Sequence, residues 1–340
     1  MLHKQLYHIT LEPERVADRL RQLFSIDNVH SVEPVEGGYM CKNYKVKTQD
    51  GDYFLKQYRN QISSVVHEIK LAEAFFSEKG IPVITSIFDR FQRPVFWLDG
   101  HWLSLFPFVE KKNPPFSELT DPFIESLGYM LGRIHRMGKG ASYNHFQPLR
   151  LGDRTKFSIE AIELVFELQS RPSLSELEQR ILDTLEKKRS WIELNNLPPK
   201  EIDLPFNCLL HGDFIYPNVF FDAQGHITHV YDFEKTCNGP RAYEVARSLI
   251  INCFDPGWSP ERFQRGKIFL EAYRDVQPLP NDELIKGILM YSHDLMHSTW
   301  IEAKYVIYQI NIQMKLYDRH ASRIEWMSHN LNEFIEKLIE

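Results

Sequence analysis

Along the first hundred residues the apolar positions fall in short runs whose period changes from one run to the next. Between Pro13 and Phe24 they recur at helical spacing and mark an amphipathic helix. Two β-type stretches follow, Tyr44–Thr48 and Tyr53–Tyr58, separated by Gln49-Asp50-Gly51-Asp52. Asp-Gly between two such runs predicts a hairpin. Ile62, Val65, Val66, Ile69, Ala72 and Phe76 then return to three- and four-residue spacing, a helix closed by Gly80 and Pro82. Further strand-like pieces occupy Val83–Phe88, Pro94–Leu98 and Trp102–Val109, and the charged, proline-bearing stretch Glu110–Pro115 reads as a connector.

From Asp121 onward long helical patterns dominate, over Asp121–Met137, Leu174–Leu194, Pro260–Val276, Asp282–Tyr308 and Ala321–Ile339. A single β-type interruption, Leu209–Glu234, lies among them. The expected architecture is α+β and bilobal. Residues 1–109 would form a small antiparallel-sheet lobe with one inserted helix, and residues 110–340 a larger, mainly helical lobe.

Composition narrows the function. The 340 residues are 43% apolar, enough for two packed lobes with a core. Lys and Arg total 40 against 46 Asp and Glu, a formal charge of −6, so the basic excess of a nucleic-acid binder is missing. Cys41, Cys208, Cys237 and Cys253 are scattered without a Cys-x-x-Cys pair, the pattern of reduced thiols rather than of a disulfide or zinc framework. No window of about 18 uninterrupted apolar residues and no continuous apolar stretch near Met1 is present, so a cytoplasmic protein with no membrane partner is expected.

The chemistry concentrates in His211-Gly212-Asp213-Phe214-Ile215-Tyr216-Pro217-Asn218, then Val219–Asp222, a turn at Ala223-Gln224-Gly225, and Ile227–Tyr231 leading into Asp232-Phe233-Glu234. A hairpin over the second half would bring Asp232 back beside Asp213 and Asn218. Phosphoryl transfer asks for such a set, because its loose transition state is stabilised by positioning and charge neutralisation. Asp213 would accept the proton of an attacking hydroxyl. Asn218 and Asp232 would offer hard oxygen ligands to Mg2+.

The ordered pattern His-x-Asp-x-x-x-x-Asn, hairpin, Asp-Phe-Glu resembles the aminoglycoside phosphotransferase and choline kinase family, distant relatives of protein kinases. Gly239-Pro240-Arg241-Ala242-Tyr243-Glu244-Val245-Ala246 is similar to the family's Gly-Pro-x-x-x-Asp-x-Ala, with Glu244 in place of Asp. Leu131-Gly132-Arg133-Ile134-His135 is similar to its Leu-x-x-Leu-His segment. The resemblance runs from about Val35 to the C-terminal helices. It implies a protein-kinase-like fold, ATP and Mg2+ as cofactors, and a small-molecule acceptor.

Such an enzyme needs a strand cation for the nucleotide phosphates and a carboxylate on the adjacent helix to hold it. Lys56, inside the Tyr53–Tyr58 run, is the candidate cation. Glu68 is its expected partner and Glu73 the alternative. Gly37 and Gly38 would let backbone amides approach phosphate oxygens, although an ordinary β-turn explains them equally. Leu105-Phe106-Pro107-Phe108-Val109-Glu110 resembles an adenine-binding hinge, with Phe106 and Phe108 as contacts; a buried strand has the same look. No Gly-x-x-x-x-Gly-Lys-Ser/Thr segment is present, which argues against a P-loop kinase.

Acceptor binding is expected from the helical lobe, with Glu234, Asp294, Trp300 and Glu302 as candidates suited to a cationic amine. His293 and His297, one turn apart, lack the third ligand a zinc site requires. Asp-Phe-Glu with Arg241-Ala242-Tyr243 is similar to choline and ethanolamine kinases. Phe269–Arg274 followed by Pro278-Leu279 is similar to bacterial homoserine kinases. The acceptor therefore stays open among amino alcohols, amino acids and amino sugars. Two other readings compete: a protein Ser/Thr kinase of the bacterial stress-kinase type, which the lack of an Ala-Pro-Glu activation segment disfavours, and a non-catalytic spore-coat-like relative.

Overall fold

The computed structural model describes residues 11–35, 41–58, 63–111, 113–140, 146–195, 202–254, 257–309 and 314–340. The elements of the first stretch are α1 (Pro13–Phe24), β1 (Val29–Val35), β2 (Cys41–Thr48), β3 (Gly51–Tyr58), α2 (Ser63–Glu78), β4 (Phe96–Leu98) and β5 (His101–Pro107). After them come α3 (Asp121–Gly138), α4 (Arg154–Gln169), α5 (Glu176–Leu194), β6 (Cys208–Leu210), β7 (Val219–Phe221), β8 (Ile227–Val230) and β9 (Cys237–Gly239). Five helices close the chain: α6 (Arg241–Cys253), α7 (Pro260–Val276), α8 (Asn281–His297), α9 (Trp300–Val306) and α10 (Met314–Ile339). They divide into two compact units, Met1–Glu118 with Pro217–Thr236, and Leu119–Tyr216 with Cys237–Glu340.

In the first unit the five strands form one antiparallel sheet in the order β1-β2-β3-β5-β4. Successive side chains on a strand face opposite ways, and that alternation decides what β3 does. Leu55 points to the face covered by α1 and joins Val16, Leu20, Tyr44, Val46, Leu103 and Leu105 in a buried cluster. Lys56 points to the other face, with Phe54 and Tyr58. There Phe106, which pairs with Phe54 in the register, meets the Lys70 ammonium of α2, 4.4 Å from its ring centre. The hairpin β7–β8 belongs to this unit because its backbone is sewn to it. Val83 bridges Val230, the Ile84 amide donates to the Val230 carbonyl at 3.0 Å, and the Asn113 side chain both donates to Val219 and accepts from Phe221.

The first unit therefore reaches Glu118 and takes in a segment from late in the chain, which a boundary near Glu110 does not express. The expected strand Val83–Phe88 is not a ladder. Val83 alone forms a bridge and the following residues carry no strand, although the Ile87 amide donates to the Leu105 carbonyl. β1 was not anticipated. It is a largely exposed strand at the end of the sheet order that carries Pro34, a position where a missing N–H costs little.

The second unit is helical apart from the two-stranded ribbon β6–β9. α3 and α7 approach so closely that a Cβ on Gly128 would lie 2.1 Å from the Phe269 carbonyl oxygen, which only glycine avoids. α5 starts on a capping box in which Ser175 and Glu178 satisfy each other's backbone amides. The helix expected over Asp282–Tyr308 breaks at Ser298 and Thr299. The Ser298 carbonyl is taken by the Lys188 ammonium at 2.6 Å, and the Thr299 hydroxyl bonds Glu160. α4 and α6 have no counterpart in the expected pattern.

Candidate active site

The residues singled out by sequence fall on both units. In the first unit β3 holds Lys56 inside the protein, with only 4% of its side chain exposed. Its ammonium lies 2.8 Å from an Asp232 carboxylate oxygen and also pairs with Glu234. The ammonium lies 4.8 Å from the Tyr231 ring centre, and that ring meets Phe54 and Phe106 edge to face. The β7–β8 pairing joins Val219 to Val230, and one residue further out the Tyr231 amide donates to the Asn218 carbonyl at 2.9 Å. The hairpin thus sets Asn218 opposite Tyr231 at its open end, one residue before Asp232.

Asp232 sits at φ +71°, a left-handed conformation that costs a non-glycine residue energy and here turns the carboxylate toward Lys56. Phe233 is buried and stacks on Phe76 of α2 at 5.6 Å, which fixes the residues on either side of it. For a metal, Asn218 and Asp232 would offer oxygen donors only. Among the described residues no cluster of three or more His, Cys, Asp or Glu could hold a metal by itself. That donor set fits magnesium, which keeps water and phosphate oxygens in most of its positions, and does not fit an all-protein cage.

Of the two α2 carboxylates, Glu68 is half-exposed and Glu73 is buried. Glu73 is clasped by Lys70, whose ammonium lies 2.9 Å from both of its oxygens. Burial pushes the Glu73 carboxyl up, against the pull of Lys70 and then of Lys56. Phe106 is buried in β5, while Phe108, just past its end, lies half-buried under the Lys45 ammonium at 4.0 Å. Gly37 and Gly38 lie outside the described residues.

In the second unit the loop carrying Asp213 is held by one face of α6, from Glu244, Arg247, Ser248 and Asn252 at helical spacing. Glu244, fully buried, accepts from the backbone amides of His211, at 3.0 Å, and Gly212, and lies 3.0 Å from His135 Nε2. His135 Nδ1 in turn meets the Tyr273 hydroxyl at 2.9 Å. Burial alone would raise the Glu244 carboxyl; the His135 bond and charge and the loop amides outweigh it and hold it below the usual range. Ser248 donates to the Phe214 carbonyl at 2.6 Å and Asn252 accepts from the Tyr216 amide at 2.7 Å. Arg247 reaches the carboxylate of Asp213 at 2.6 Å. Sequence reasoning noticed His135 and Glu244 but not Arg247, Ser248 and Asn252. The polar spacing on α6 was the available signal.

The acceptor candidates separate. Asp294 accepts from the Gly152 amide at 2.8 Å and from the Tyr243 hydroxyl at 2.7 Å, and Trp300 is 43% exposed. Glu302 is fully buried and bonds the equally buried Lys188 at 2.7 Å, an arrangement that ties α9 to α5. Burial would raise its carboxyl, but Lys188 and His320 hold it down at about 2. His293 and His297 stack on each other at 4.0 Å. Cys208, Cys237 and Cys253 are free and buried, and burial pushes the first two thiols up to about 12. No helix among the described residues is long and apolar enough to cross a membrane.

Residues 31–279 match the family model described as APH: Phosphotransferase enzyme family. A homoserine kinase from Bradyrhizobium sp. (strain ORS 278) is 25% identical over 273 residues, covering 80% of this chain and 78% of the relative. Among solved structures, a spectinomycin phosphotransferase in complex with ADP and spectinomycin matches with a TM-score of 0.67 at 15% identity, covering 97% of this chain and 98% of that one. A microcompartment-associated aminopropanol kinase matches with a TM-score of 0.61 at 16% identity, covering 96% and 98%. The fold is thus the kinase-like α+β class expected from the sequence.

Proposed function

Because the chain belongs to the phosphotransferase enzyme family, we propose that it moves the γ-phosphate of ATP, with magnesium, to a hydroxyl of a small amine-bearing metabolite. The observation that carries this reading is the buried Lys56 on β3, ion-paired with Asp232 at the open end of the hairpin that also presents Asn218. In this reading Lys56 grips the nucleotide phosphates, and Phe106 and Phe108 lie along the adenine edge. Asp213 takes the proton of the acceptor hydroxyl as the new oxygen–phosphorus bond forms and the bond to the ADP oxygen breaks. Magnesium, held by Asn218 and Asp232 with phosphate oxygens, would neutralise the charge on the transferred group.

Two features favour a small acceptor over a protein. Only the short run from Lys235 to Pro240, half of it the strand β9, separates Asp-Phe-Glu from α6, which leaves no room for an activation segment. The curated relatives are named homoserine kinases, and an amino acid with a free hydroxyl is therefore the first acceptor to test, ahead of amino alcohols and amino sugars. Asp294, half-buried and already bonded to Tyr243, is the carboxylate best suited to the acceptor's amine, with Trp300 beside it in sequence terms and Glu302 confined to its buried pair. A coupled ADP-release screen over L-homoserine, amino alcohols, amino sugars and casein tests the reading. ADP released with a small hydroxylated amine supports it; release with casein alone contradicts it.

A further inference from the structure

A strand lysine that must grip phosphates needs a fixed carboxylate beside it, since a buried ammonium without a partner is both costly and mobile. The customary source would be helix α2. Its buried carboxylate, however, is taken. Lys70 and Glu73, one helical turn apart on α2, form a pair with both side chains almost fully buried and both Glu73 oxygens 2.9 Å from the ammonium. Burial depresses Lys70 and raises Glu73, and the attraction that keeps Glu73 charged comes first from Lys70 and only then from Lys56. On β3, meanwhile, Lys56 is held by Asp232 and by Glu234, whose side chain is 7% exposed. Phe233 between them is locked against Phe76, so the carboxylate of Glu234 is delivered by a rigid backbone.

We propose that Glu234, in the Asp-Phe-Glu segment, is a positioning residue that anchors Lys56 for the nucleotide, while Lys70 holds Glu73 of α2. The inference rests on the nucleotide-site reading above. It accounts for two buried cations, Lys56 and Lys70, set against three carboxylates, the buried Glu73 and Glu234 and the partly exposed Asp232. Asp232 has a second duty as a metal ligand, and Glu234 is then the dedicated partner of Lys56. It also assigns Glu234 to the nucleotide and not to the acceptor.

The test is magnesium-ATP binding by calorimetry, together with KM for ATP and for the acceptor, in Glu234→Gln, Glu234→Asp, Lys70→Met and the double variant Glu234→Gln/Lys70→Met. Glu234→Gln should weaken ATP binding about tenfold or more, the ratio given by about 1.4 kcal/mol of lost coupling, and leave the acceptor KM within about twofold. Glu234→Asp, which keeps the charge, should fall between the two. In the double variant Glu73 is released to Lys56, and ATP affinity should recover most of the loss. A raised acceptor KM with ATP binding intact, a defect cured by more magnesium, or a double variant no better than Glu234→Gln would each overturn the anchor. If the unaltered protein binds no magnesium-ATP, the nucleotide reading itself fails, which is a separate result from unaltered binding in Glu234→Gln.

Discussion

Replacing Glu244 by alanine should loosen the loop that carries Asp213 and destabilise the helical unit together. The carboxylate, itself fully buried, accepts two backbone amides, from His211 and Gly212, and pairs with the buried His135. A hydrogen bond to a charged group is worth about 1.5–3 kcal/mol, and each buried amide left unpaired costs about 1–3 kcal/mol. These terms overlap, and the cost of breaking a buried charged pair, about 3–5 kcal/mol, is the better guide to their sum. At about 2–4 °C per kcal/mol for a domain of this size, the melting temperature should fall by roughly 6–20 °C. Glu244→Gln keeps the shape and part of the bonding, so its loss should be smaller. The pH dependence has a definite sign. The folded carboxyl lies below its unfolded value, so its stabilisation is complete above about pH 4.3 and is lost as the pH falls through the folded value. The gap between the unaltered protein and Glu244→Gln should therefore close on acidification. Thermal melts from neutral pH to below pH 4, with phosphotransfer measured in parallel, read this out. A Glu244→Ala protein that melts within about 2 °C of the original and turns over normally would refute the reasoning.

Asp213→Asn should reduce kcat by about 10²–10⁴, the usual value of a general base, with magnesium-ATP affinity unchanged in calorimetry. Asp232→Ala should instead remove the magnesium-dependent part of ATP binding; binding heats that persist would take Asp232 out of the metal site. Lys188→Met should destabilise the protein by about 3–5 kcal/mol by stranding Glu302, whereas Lys188→Met/Glu302→Met should restore most of it. If instead Glu302→Gln selectively raises the acceptor KM without lowering the melting temperature, Glu302 belongs to the acceptor site.

What the sequence made legible follows from how local each signal is. The β2–β3 hairpin was readable because Asp-Gly sits between two runs of fixed period, and α5 because its capping box and apolar stripe agree. α4 was hidden by its own surface: Ile159, Ile162 and Phe166 are exposed, so its apolar residues encircle the helix and no single stripe stands out. α6 was hidden for the opposite reason, being buried along almost all of its length. The break at Ser298 comes from Lys188, 110 residues away in the chain, a tertiary cause that no local pattern records. The same distinction governs the site. Asp213, Asn218 and Asp232 announce themselves in one stretch, and Lys56 by being a charge in an apolar strand. The partner of Lys56 could not be read that way. Lys70 lies on the buried stripe of α2 at the spacing of its apolar residues, and only its contact with Glu73 explains why it is there.

The most direct test of the phosphotransferase reading is to follow 31P resonances while the protein is incubated with magnesium-ATP and L-homoserine or an amino alcohol, alongside Asp213→Asn. A phosphomonoester signal growing in step with ADP, and absent with Asp213→Asn, is the predicted result. Inorganic phosphate as the sole product, or a phosphomonoester formed equally well by Asp213→Asn, would contradict it.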